Sequence, residues 1–344
     1  MPFPNALKRT LLTLALGALG GYLLSLAGFP AAWLAGSMAA VAVAALLGLR
    51  VGLPERLREI AFILLGISMG SAVTPDSLHR MAAWPMSLLI LVVCVAATAL
   101  LGSLWLERRH GWSRATARFS AIPGALSYIL ALAIKSPADV PRVATAQSLR
   151  LVVLVAVMPL LVQLGGEVDP TAVLSRPAGG TPLGIAVLVA LATAGGFALK
   201  RLNVPAGLLM GSLLASALLH GSGLVEARLP GPLLVPGFVV MGGVIGGRFA
   251  NTRPADLLRL LRPSLESVGV GLLVSAAFAF LAARLLALPF GQVWLAYAPG
   301  GVEAMTVMAF ALHVDPAFVG AHHFFRLLAL SVAIPLWMRP VLKA

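Results

Sequence analysis

Ala298-Pro299-Gly300-Gly301-Val302-Glu303 interrupts a long apolar run with the two residue types least compatible with a continuing helix. Asp315, His322, His323, Arg326 and Pro335 follow it. The same punctuation stands earlier in the chain at one constant offset: Pro123-Gly124, Asp139, Gln147, Arg150 and Pro159 match Pro299-Gly300, Asp315, His323, Arg326 and Pro335. Six aligned positions in one register, five of them identical, indicate an internal duplication. Each half places a Pro-Gly break in one apolar run and brings an arginine into the next.

The surrounding chain is a membrane sequence. Of 344 residues, 60% are hydrophobic and 11% charged, against about 25% charged in soluble domains. Mean hydropathy is +0.98. Twelve apolar runs fill the chain, and runs of roughly 17 to 25 residues suit helices crossing ~30 Å of hydrocarbon. The fold class is therefore an all-α polytopic membrane protein. The net charge of +13 lies in short clusters between runs, as in cytoplasmic loops, and not along one nucleic-acid-binding face. Cys94 alone leaves no intrachain disulfide. Lys8-Arg9 and the run Leu11 to Leu26 resemble a signal peptide, but no clear small-x-small cleavage site follows, so the reading is a retained first helix.

The duplication sets the domains: repeat 1 over 1–164, a polar connector over 165–181, and repeat 2 over 182–344. The repeats also match where Pro30 to Met38 resembles Pro205 to Leu213, one position out of the later register, and where Gly66-x-x-x-Gly70 stands opposite Gly242-x-x-x-Gly246. The prolines read as helix starts, and the glycine pairs as close helix packing.

If all twelve runs cross, Lys200, Arg201, Arg248, Arg253, Arg259 and Arg262 fall outside. If the Pro-Gly run of each half is re-entrant, each half crosses five times and the second is inverted. Nineteen basic residues then lie inside and four outside (Arg80, Arg176, Arg228, Arg284), with Arg150 and Arg326 in the membrane. The positive-inside rule selects inverted repeats, with both termini cytoplasmic.

Paired breaks in corresponding positions are the sequence pointer to a transporter's substrate site. Pro123, Gly124, Pro299, Gly300 and Gly301 are therefore candidate substrate-binding residues. Arg150 and Arg326 have two readings: an anion clamp, since the guanidinium fork suits carboxylate, or snorkelling to a helix end. Glu303 stands opposite Ser127, and His323 opposite Gln147. In the second repeat Glu303 could pair with Arg326 or take a coupling proton, and His322 and His323 could share the face of Arg326. Asp139 and Asp315 read as helix caps. His313, His322, His323, Glu303 and Asp315 match no standard metal-ligand spacing, and no phosphate-cradling loop occurs, so neither a metal nor another cofactor is expected.

The ensemble of Pro30 to Met38, Pro205 to Leu213, the glycine pairs, Ile122-Pro123-Gly124-Ala125 and Ala298-Pro299-Gly300-Gly301 resembles the AbrB family of bacterial inner-membrane proteins, over nearly the whole chain. The resemblance implies a duplicated membrane unit in the cell inner membrane. The family name implies a role in regulating expression of another gene, and an older label is ammonia monooxygenase. The name is shared with an unrelated small soluble DNA-binding regulator. No helix-turn-helix or basic soluble domain is present for direct DNA contact.

The leading expectation is a secondary transporter or permease-like protein, not an enzyme, for a small organic anion, coupled to protons. One repeat would rock against the other. Its partners are the bilayer and the ligand, a homo-oligomer is compatible with the sequence, and no nucleic acid is expected. A membrane sensor acting indirectly on gene expression is the second reading, and a membrane monooxygenase subunit the third.

Overall fold

A computed structural model describes residues 3–73, 84–124, 126–164, 179–250 and 252–342. Apart from a bridge between Gly179 and Arg228, the described residues are helices and their connections. The first half contributes α1 (Phe3–Leu26), α2 (Ala32–Leu46), α3 (Glu55–Gly70), α4 (Trp84–His110), α5 (Arg114–Ala121), α6 (Leu126–Ala133) and α7 (Val140–Leu164). The second contributes α8 (Pro182–Arg201), α9 (Gly207–Gly221), α10 (Leu234–Gly246), α11 (Pro254–Leu286), α12 (Phe290–Tyr297), α13 (Val302–Ala311) and α14 (Pro316–Leu342). Short 3-10 turns, Gly231–Leu233 and Gly247–Phe249, flank α10. Most of the connector, 165–178, lies outside the described residues.

Element bounds keep the register of the sequence match. Helices α2 and α9 correspond at both ends in the register of the Pro30 and Pro205 motifs, and α5 and α12 correspond at both ends in that of the Pro-Gly breaks. Both Pro-Gly runs are broken, as expected, into two short helices. At 8 residues each, α5 and α12 reach only about 12 Å at 1.5 Å per residue, well short of a bilayer.

Among the described residues, seven helical spans are long and apolar enough to cross a membrane: Ala6–Leu26, Trp84–His110, Val140–Leu164, Pro182–Arg201, Gly231–Phe249, Pro254–Leu286 and Pro316–Met338. Helices α2 and α9, at 15 residues, are shorter than the sequence runs suggested. Leu11, Leu19 and Leu23 on α1, Leu89 and Val93 on α4, and Leu273 on α11 remain exposed. In water such apolar faces would be costly, and in lipid they are the solvated surface. This is a multi-pass membrane protein.

The helices pack as two bundles, and each draws on both halves of the chain. One contains α1, α2 and α3 with α8, α9 and α10; the other contains α4 to α7 with α11 to α14. The first bundle is joined by the glycine pairs. A Cβ on Gly66 would stand 2.7 Å from the Leu209 carbonyl oxygen, and one on Gly70 2.4 Å from that of Leu213. Equivalent atoms on Gly242 and Gly246 would stand 2.5 Å from Leu34 O and 2.4 Å from Met38 O. The expected packing role is thus specific: the glycines of each half receive the helix that follows the Pro30 or Pro205 motif of the other half. Those prolines sit just outside their helices, each followed by an alanine, Ala31 or Ala206, in left-handed conformation with φ 55°.

Polar contacts gather some connections at common ends. Lys200 pairs with Glu59, and Glu266 accepts from Trp105 Nε1 at 2.9 Å and lies 2.8 Å from His110 Nε2. Arg118 Nη1 donates to Trp337 O at 3.0 Å. Gly179 and Arg228 exchange backbone hydrogen bonds of 3.3 and 3.0 Å.

Candidate functional site

The last carbonyls of a helix lack intrahelical donors, and proline at 123 or 299 prevents the chain from continuing to supply them. In each half the next long helix crosses the break and supplies them from side chains. In the first half, Gln147 Nε2 donates to Phe119 O at 2.8 Å and Ile122 O at 3.1 Å. Arg150 Nη1 donates to Ser120 O at 3.2 Å and Ile122 O at 3.1 Å, and its Nη2 donates to Gln147 Oε1. In the second half, His323 Nε2 bonds Leu295 O at 3.0 Å, and Arg326 donates from Nη1 to Ala298 O at 2.7 Å and from Nη2 to Gly300 O. Phe119 and Leu295 are equivalent positions in the repeat register, as are Ile122 and Ala298. The two breaks are held by the same construction.

This arrangement revises the sequence reading of the arginines. Arg150 and Arg326 are 9% and 3% exposed, so they do not snorkel. Their hydrogen-bonding forks are committed to carbonyls at the C-terminal ends of α5 and α12, where a cation also offsets the helix dipole. They hold the breaks open and contribute positive charge, instead of acting as free clamps. Arg326 does not pair with Glu303: among the described residues no ion pair joins them.

Both breaks line one cavity of about 280 Å³ between the bundles. Gly124, Gln147, Arg150, Pro299, Gly300, Gly301, Glu303, His323 and Arg326 all contribute to its wall. Pro123 is buried in the first break and is not part of that wall. Ser127 belongs to α6, but its side chain lies outside the described residues. His322 faces elsewhere, with Nδ1 bonding Phe318 O at 2.8 Å and Nε2 2.9 Å from Ser87 Oγ. Asp139 and Asp315 cap α7 and α14 as expected: Asp139 Oδ1 accepts from Arg142 N at 3.0 Å, and Asp315 Oδ1 from Ala317 N and Phe318 N at 2.9 and 3.1 Å.

The family match is as extensive as the structural register. A family model described as "Transition state regulatory protein AbrB" covers residues 33–341. The chain belongs to the AbrB family. It is 29% identical to "Putative regulator AbrB" of Escherichia coli (strain K12), over 89% of this chain and 88% of that protein. It is 25% identical to "Uncharacterized protein YhjN" of Bacillus subtilis (strain 168), over 97% of this chain and 93% of the relative.

In this AbrB-family chain the cavity contains two cations that sequence reasoning passed over. Arg58, from α3, and Arg248, in the 3-10 turn after α10, line it from the first bundle. Both lie within electrostatic reach of Glu303, in the first turn of α13. In sequence they stand among ordinary loop arginines without a basic counterpart in the other half, where the equivalent positions are Leu234 and Ala72. Four guanidiniums and one carboxylate line the cavity, and Glu55 pairs with Arg58 beside it, so with histidine neutral the group carries two net positive charges, four less two. Among the described residues no group of three His, Cys, Asp or Glu side chains is assembled to hold a metal ion.

A second cleft, of about 320 Å³, opens between α4 and α14 and is apolar except for Arg326. It touches neither Pro-Gly break. Of these two, the first holds the broken backbone and most of the charged groups.

Proposed function

We propose that this protein is a secondary transporter for a small organic anion, with its substrate held where the two Pro-Gly breaks meet. The observation that carries the reading is one cavity lined by Gly124, by Pro299 to Glu303 and by four arginines, at the junction of two helical bundles. The amino ends of α6 and α13 border it, and amino ends of half-helices favour anions. A volume near 280 Å³ is slightly below the range of drug-sized pockets, roughly 300–1,000 Å³, and suits a small metabolite. Glu303 is the group proposed to take the coupling proton. No enzymatic step is assigned.

We read the halves as inverted repeats in the cytoplasmic membrane, with both termini inside. The contacts of Lys200 with Glu59, and of Glu266 with His110, support that reading. With every run crossing, the partners in each pair would sit on opposite faces, ~30 Å apart. The bundles suggest what moves. Rocking one repeat against the other is incompatible with repeats that share both bundles, so alternating access would displace one bundle relative to the other across the cavity.

Proteoliposomes test the proposal. Under an imposed pH gradient they should accumulate at least one labelled acid from a panel of small mono- and dicarboxylates. No uptake of any acid by folded, correctly reconstituted protein would refute it. The name of the Escherichia coli relative, a regulator, supports a second reading, a membrane sensor that binds the same anion and signals through a partner. Saturable binding without uptake or counterflow would favour the sensor.

A further inference from the structure

The two breaks differ at the position shared by Gln147 and His323, and Ser120 Oγ at the first break is also buried without a partner. In the first, every polar atom of the Gln147 amide is engaged: Nε2 with two carbonyls, and Oε1 with Arg150 Nη2. In the second, the imidazole of His323 meets Leu295 O through Nε2. A carbonyl only accepts, so Nε2 carries the hydrogen and the neutral ring presents a lone pair at Nδ1. That nitrogen is buried without a hydrogen-bond partner, on a side chain 1% exposed that lines the cavity. Arg326 does not serve it as Arg150 serves Gln147: its Nη1 and Nη2 donate to Ala298 O and Gly300 O, and Nδ1 receives no hydrogen bond.

A buried polar atom left open in one half and satisfied in the other calls for an explanation, since native proteins leave few such atoms unpaired. We infer that His323 Nδ1 accepts a hydrogen bond from the substrate, and that the substrate is a small hydroxy acid. The inference rests on the anion-site reading given above and narrows it. A carboxylate has no hydrogen to give, so a simple acid held by the cavity cations leaves Nδ1 unpaired. A hydroxyl on the same small skeleton supplies the missing donor. An ammonium group would also supply one, but the net positive charge of the cavity opposes it. A site with a buried acceptor discriminates strongly against a ligand that lacks the matching donor.

Matched pairs make the test direct: lactate against propionate, and malate against succinate, titrated calorimetrically into the purified full-length protein in detergent. The wild type should bind the hydroxy member of at least one pair about tenfold more tightly, or better. His323→Gln should donate to Leu295 O through its amide nitrogen and present its oxygen to Arg326, as Gln147 does to Arg150. In that variant the two members of each pair should bind alike. Equal binding within both pairs by the wild type, or an undiminished preference in the variant, would overturn this inference and leave the anion site standing. Failure of all four acids to bind would overturn both.

Discussion

Replacing Arg326 with methionine removes every donor while keeping a long side chain. Gly300 O then loses its side-chain donor, while Ala298 O keeps only the Gly300 amide, at 2.7 Å. Leaving one buried polar group unsatisfied costs about 1–3 kcal/mol, so the loss should be about 1–3 kcal/mol. That is a sizeable part of the roughly 5–15 kcal/mol that stabilises a typical native protein. Arg326→Lys should fall between wild type and methionine, because a single ammonium can serve these carbonyls without reproducing the planar fork. Reversible SDS titration in mixed micelles, followed by circular dichroism, would measure the difference. Arg150→Met should also destabilise the protein, since its guanidinium serves Ser120 O and, together with Gln147, Ile122 O in the first break. If Arg326→Met unfolds at the wild-type SDS fraction, the guanidinium is not what holds the break, and the structural role given to both arginines is wrong.

Arg248→Gln should give the opposite pattern, weakening anion binding by about 10- to 100-fold, from the roughly 1.5–3 kcal/mol of a charge-assisted contact, with an unchanged unfolding transition; calorimetry and SDS titration on one preparation separate the two. Glu303→Gln should still exchange substrate across proteoliposomes but lose accumulation driven by a pH gradient, and retained accumulation would remove Glu303 from the coupling. Gly70→Ala should destabilise the protein by about 1–3 kcal/mol, because its Cβ would press to 2.4 Å of Leu213 O, whereas Gly269→Ala, with nothing within 4 Å, should be neutral or slightly stabilising.

Much of the fold could be read from the chain because its strongest signals are local. Proline and glycine break helices wherever they fall in an apolar run, so Pro123 and Pro299 marked the short helices correctly. The glycine pairs announced close packing because a missing Cβ has few other uses at four-residue spacing in a membrane helix. Their partners were not legible, since nothing local in Gly66 says that it receives Leu209 from the other half. The interleaving of halves into two bundles therefore appeared only in three dimensions.

The breaks and the arginines that follow them could be picked out for the same reason, but not the groups those arginines meet. Arg150 and Arg326 attracted attention because a cation inside an apolar run is costly, yet that cost is met by backbone carbonyls freed at the breaks. A distance of 28 residues separates Arg326 from Ala298, and no spacing rule links them. Arg58 and Arg248 looked like ordinary loop charges because they lie beside other arginines near helix ends. Only the packing of α3 and α10 against the broken segments brings them to the cavity.

The central claim is that the two breaks face one water-filled, cationic cavity. On a Cys94→Ala background, Gly124→Cys and Gly301→Cys place one thiol in each break, where an added Cβ meets only ordinary contacts at 3.5 Å or more. The decisive measurement is the rate at which each thiol reacts with an anionic methanethiosulfonate, compared with a cationic reagent of similar size. Both positions should react, each faster with the anionic reagent and more slowly in high salt. Inert thiols at either position, or faster reaction with the cationic reagent, would contradict the account.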